Sequence, residues 1–124
     1  EVEENAAAME NIREFLPGER ERMASRLSAE LNTLCTGCQY CDHCPAGVPI
    51  PRLMDVYNLL LLHASREEID TRMRVHWNGL SGADAAKCIA CGQCEKACTQ
   101  HLPIIQRLRA LHNEPLFDIA MRSH

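Results

Sequence analysis

Cys35-Thr36-Gly37-Cys38-Gln39-Tyr40-Cys41-Asp42-His43-Cys44-Pro45 places four thiols within ten residues. A second stretch repeats the device: Cys88-Ile89-Ala90-Cys91-Gly92-Gln93-Cys94-Glu95-Lys96-Ala97-Cys98. Together they hold all eight cysteines of the chain. Three thiols at even spacing with a fourth close behind, twice over, is the pattern by which a polypeptide holds two 4Fe–4S clusters. Each cubane offers four irons, and each iron takes one thiolate. Two intervening residues let successive thiols reach adjacent corners while backbone N–H groups turn towards sulfur and offset negative charge.

The spacing leaves two wirings. A fourth cysteine stands where the chain leaves its loop, so it commonly ligates the other cluster. That gives Cys35, Cys38, Cys41 and Cys98 to one cluster, and Cys88, Cys91, Cys94 and Cys44 to the second. In the alternative, each motif keeps its own four.

Eight thiols have two other uses. A secreted disulfide scaffold is opposed by the start of the chain, Glu1-Val2-Glu3-Glu4-Asn5, which has no apolar signal segment, and by the close spacing. A reducing, cytoplasmic setting is expected instead. Zinc would also accept all-thiolate sites, but these usually draw two cysteines from each of two distant knuckles. His43 and His101 lie near cysteines, yet eight thiols already fill every corner of two cubanes. Gly37 and Gly92 are expected to supply left-handed backbone beside the metal. Tyr40 is placed either to shield a cluster or to stand as an exposed loop residue.

Outward from the motifs, the pattern is helical. Residues 2–15 carry Val2, Ala6, Met9, Ile12 and Phe15 at helical spacing, up to Pro17-Gly18. Residues 19–34 align Met23, Leu27, Leu31 and Leu34 on one face. Pro51 opens a helix with Leu53, Val56, Tyr57, Leu60 and Leu61 inward. Ser65-Arg66-Glu67-Glu68 is a capping box that starts a helix running to about Trp77, closed by Asn78-Gly79. Ser81-Gly82-Ala83-Asp84 reads as a second capped start leading into Cys88. Pro103 opens a helix with Ile104, Ile105, Leu108 and Leu111, and a short last helix is expected over Leu116 to Met121.

No segment alternates with period two. The fold class expected is therefore all-α. In the compact βαβ-type ferredoxin the motifs lie closer, with strands between them, whereas residues 45–87 here hold helices.

Composition agrees with a single small metal domain. The chain has 124 residues, 46% of them hydrophobic and only 4% aromatic, so its core must come from Leu, Ile, Ala and Met. Bound metal would add folding energy. The net charge of −4 and the lack of a basic run argue against nucleic acid as a partner. No apolar run is long enough to span a membrane. The acidic residues read as solvated helix faces, and no constellation suggests hydrolytic or acid–base catalysis.

The residues around the thiols carry a closer likeness. Cys35-Thr36-Gly37-Cys38-Gln39-Tyr40-Cys41 through Cys44-Pro45-Ala46-Gly47-Val48-Pro49-Ile50-Pro51, Tyr57-Asn58, and Cys88 through Ile104 resemble the C-terminal extension of iron–sulfur-containing aldo/keto reductases. The likeness covers about residues 30 to 112. It implies an α-helical ferredoxin domain over residues 19–124, with residues 1–18 as the tail of a preceding barrel. It also implies that Glu4-Asn5 match a pair near the adenine of a nicotinamide cofactor, so that NADP(H) would concern only a full-length protein. The expected partners are that barrel, in the same polypeptide, and an external redox carrier. No catalytic site falls within these residues. Thr99 departs from the family pattern, in which proline often follows the last cysteine.

Electron transfer through two clusters is thus the expected role. Its rivals are an interaction domain stapled by Fe–S or zinc, and an iron–sulfur subunit of a heterodisulfide reductase-like complex.

Overall fold

The computed structural model describes residues 2–10 and 14–113, and among these there are helices and turns but no strands. The all-α expectation holds. By contacts the chain divides into two compact units, residues 1–32 and 33–124.

The first unit carries α1 (Val2–Glu10) and α2 (Glu19–Leu31). No described side chain of either helix is buried; Met23 and Leu27 stand about half exposed. The helix expected over residues 2–15 ends sooner, since Glu14, Phe15 and Leu16 are not helical. Pro17 explains part of this, because it disfavours helical backbone at Leu16. Leu16 N–H instead donates to the Glu19 carboxylate at 3.0 Å, at the start of α2.

The second unit holds α3 (Ile50–Leu61), α4 (Arg66–Thr71), a π-helical turn (Arg72–His76), α5 (Gly82–Ala86), α6 (Gln93–Ala97) and α7 (Ile104–Asn113). Pro51 sits in the first turn of α3, where a missing N–H costs nothing. The box at Ser65 forms as read: Glu68 N–H donates to Ser65 Oγ, and Ser65 N–H donates to the Glu68 carboxylate at 2.7 Å. The helix it opens changes character midway. Trp77 N–H reaches back five residues to the Arg72 carbonyl at 3.0 Å, and Asn78 and Gly79 then end it with positive φ. Asp84 accepts from Ser81 N–H at 3.0 Å to start α5. α6, within the second cysteine motif, went unforeseen. The short helix expected at Leu116–Met121 lies outside the described residues.

α7 packs against α3, α5 and α6. The core between them is Leu, Ile, Met, Val and Ala: Ile50, Leu53, Met54 and Val56 from α3, Ile69 and Met73 from α4 and the π turn, and Ile104, Leu108 and Leu111 from α7. Six cysteines pack against this core. The helices therefore present the thiols from a rigid base, which preorganises ligands better than loops alone.

Candidate metal centre

All eight thiols are unbridged. Their exposure follows the motif: Cys38 and Cys91, the second thiol of each, are exposed, while the other six are partly buried.

The two loops share one backbone design. Gly37 N–H donates to Cys35 Sγ at 3.4 Å, and Ala90 N–H donates to Cys88 Sγ at 3.4 Å. Both donors lie two residues after the first thiol. Left-handed backbone occurs at that position and two residues later in both loops, at Gly37 and Gln39 (φ 71 and 65) and at Ala90 and Gly92 (φ 55 and 76). Such backbone turns N–H groups inwards, making a concavity suited to negative charge. The glycine expectation holds at Gly37 and Gly92, and Gln39 and Ala90 take the same conformation without the benefit of glycine.

Contacts across the sequence join the two motifs. Thr36 N–H donates to the Gln100 side chain at 3.2 Å, and Cys38 Sγ lies 4.0 Å from Thr99 Oγ1. The segment after Cys98 is thereby tied to the first loop, and Thr99, the departure from the family pattern, is part of the tie. Burial pushes the Cys41 thiol up to about 11, and the neighbouring charges of Cys35, Cys38 and Cys98 act in the same direction. The N–H of Tyr40 holds Cys38 below the usual thiol range.

On the other side, a cavity of about 210 Å³ is lined by Cys44, Cys88, Cys91 and Cys94, with Cys41 also at its wall. Ile50, Ile105 and Leu108 form its apolar floor, and Tyr40, His43 and Ile89 line it as well. Tyr40 is 63% exposed, so it stands at the rim rather than covering the cavity. Burial raises the Cys94 thiol, and the charges of Glu95 and Cys88 add to the effect.

Each loop is anchored from outside. Asn58 on α3 bonds both backbone groups of Cys35. Glu95 in α6 accepts from Ile105 N–H at 3.0 Å, joining the second motif to α7. Leu102 N–H reaches Cys98 Sγ at 3.5 Å. Gln100 and Glu95 fell within the family likeness in the sequence, without a role. Asn58 was marked only by family likeness, without a role.

The donor set suits a soft, polynuclear group. Four thiols spread around an apolar cavity with N–H donors aimed at sulfur fit a cubane, whose four thiolates bind four separate irons.

Residues 34–102 match the family model described as a 4Fe-4S dicluster domain. No curated protein and no solved structure matches the chain.

Proposed function

The chain belongs to the 4Fe-4S dicluster domain family, and from that premise we propose that it is an electron-transfer module carrying two 4Fe–4S clusters. The observation that carries this reading is the pair of thiol loops of one backbone design set against one helical core. When bound, the clusters supply reversible one-electron transfer. The residues of the chain hold them, aim N–H groups at sulfur, and leave Cys38 and Cys91 at the surface.

Cross-ligation is the wiring proposed: Cys35, Cys38, Cys41 and Cys98 for one cluster, and Cys44, Cys88, Cys91 and Cys94 for the other. Its support is the Thr36–Gln100 bond, the approach of Cys38 to Thr99, and the shared cavity of Cys44 with the second motif.

In the full-length protein we place this domain, residues 19–124, after an aldo/keto reductase barrel, with residues 1–18 as the tail of that barrel. Electrons would then pass between the NADP(H) or substrate site of the barrel and an external carrier. The support is the likeness of the loop residues and of Tyr57-Asn58; Glu4 and Asn5 lie on α1. Eight unbridged thiols suit a reducing compartment, and the cytoplasm is the location proposed. No helix among the described residues is long and apolar enough to cross a membrane.

The test is iron and labile-sulfide analysis after anaerobic reconstitution, with visible and paramagnetic resonance spectra before and after reduction. The reading expects about eight irons and eight sulfides per chain, broad visible absorbance that bleaches on reduction, and a reducible paramagnetic signal. Stoichiometric zinc with no redox response would overturn it.

A further inference from the structure

Arg107 on α7 is 5% exposed, a charged side chain set in an otherwise apolar core. One nitrogen, Nη2, donates to the Thr33 carbonyl at 2.6 Å. The guanidinium carbon lies 4.8 Å from the centre of the Tyr57 ring. The other nitrogen, Nη1, is buried and bonded to nothing among the described residues.

A guanidinium keeps its charge in a protein. Burying it without a counter-charge is costly, and one carbonyl and one ring face compensate only part of the cost. Among the described residues no carboxylate is paired with it. The surroundings indicate where an anion belongs. Thr33, which Arg107 holds, lies two residues before Cys35. Tyr57, beneath the guanidinium, adjoins Asn58, which holds the backbone of Cys35. Arg107 is thus bonded to the segment that leads into the first thiol loop. Lys87 and Lys96, the two lysines beside the second motif, are both exposed.

We propose that Arg107 is the fixed counter-charge of the cluster held by Cys35, Cys38, Cys41 and Cys98. The inference rests on the two-cluster reading above. A cubane with four thiolates is anionic, and taking one electron from a one-electron donor makes it more so. A buried cation favours that reduced form and raises the reduction potential. No bond breaks and no proton moves at Arg107. The consequence is two unequal clusters, with the one served by the first loop reduced more readily.

The experiment is a potentiometric titration, followed by paramagnetic resonance, of wild type, Arg107→Lys, Arg107→Gln and Arg107→Met, with dithionite as reductant and iron content measured throughout. Lysine keeps the charge; glutamine and methionine remove it, and methionine retains apolar bulk of a kind that usually substitutes well for a buried ion. The expected result is that the neutral variants keep both clusters, and that one reduction step falls by at least tenfold in its equilibrium, 59 mV for one electron. The lysine variant stays within that margin of wild type. Neutral variants that lose iron while the lysine variant keeps it also support a requirement for charge.

A neutral variant with full iron and both steps unmoved overturns the proposal. So does loss of iron from the lysine and neutral variants alike, which would make Arg107 a clamp on Thr33 alone. If wild type itself binds no iron, it is the two-cluster reading that fails.

Discussion

Asn58 and Cys35 exchange two hydrogen bonds of 2.8 Å each: Cys35 N–H donates to the Asn58 side-chain oxygen, and the Asn58 amide donates to the Cys35 carbonyl. A side chain in the last turn of α3 thus takes the place of a strand neighbour for the first residue of a metal loop. The pair is partly buried, so little solvent is at hand to replace it. Asn58→Leu should leave both Cys35 groups unsatisfied, at a cost of about 2–4 kcal/mol. Asn58→Asp should also be destabilised, because a carboxylate oxygen replaces the donor facing the carbonyl. Denaturant melts of the iron-loaded protein, with the rate of iron release to a chelator, check both.

Paired substitutions separate the two wirings. Under cross-ligation Cys44 and Cys88 serve the same cluster, so Cys44→Ala with Cys88→Ala should retain about four irons. Cys41 and Cys44 serve different clusters, so Cys41→Ala with Cys44→Ala should retain few. If each motif kept its own cluster, the two results would exchange places.

The left-handed positions give a stability pair. Gly92 has φ 76 with open space where a Cβ would stand, so Gly92→Ala meets only backbone strain and should cost about 1–2 kcal/mol. Ala90 already bears that strain at φ 55, and Ala90→Gly should recover up to about 1 kcal/mol. Thermal melts of the loaded protein measure both changes, which should have opposite signs.

Leu53 is fully buried in α3. Leu53→Ala should cost about 2–5 kcal/mol and loosen the base on which the cysteines lean. Reduced melting temperature and faster iron release should appear together.

The two capping carboxylates predict a dependence on acidity. The N–H and hydroxyl of Ser65 hold Glu68 below the usual carboxylate range. Partial burial pushes Asp84 up, but hydrogen bonds from Lys87 and Ser81 outweigh it, and Asp84 too ends low. A carboxyl lowered by folding stabilises the fold fully above its unfolded value, near pH 4, and the contribution is lost as pH falls through the lower folded value. Carboxyl-carbon resonance titrations should place both midpoints below the unfolded values. The stability margin over Glu68→Gln and Asp84→Asn should be full at pH 7 and shrink below about pH 4.5.

The helices and caps were legible because their signals are local. Ser65 and Glu68, Ser81 and Asp84, and Pro51 each act within one turn of their own position, and all did as their spacing required. The π turn at Arg72–His76 was not legible, because its ring of bonds differs from that of an α-helix by a single residue and leaves the apolar spacing almost unchanged. The likeness of the two loops was legible in the thiols and hidden in the backbone. Glycine takes the first left-handed position in one loop, at Gly37, and the second in the other, at Gly92, so comparing letters does not align them. Nothing in the sequence sets Arg107 apart from the other arginines; only its burial against Tyr57 and Thr33 distinguishes it.

The exposure of Cys38 and Cys91 has a further consequence for the metal-free chain. Thiolate fraction and access together set how quickly a sulfur is attacked. Cys38 has both, whereas Cys41 is partly buried and its thiol is pushed up to about 11. An alkylating reagent should therefore mark Cys38 early, with Cys91 next by access, and Cys41 late. Each nest for metal is also a graded series of nucleophiles, open at its second rung and guarded at its third.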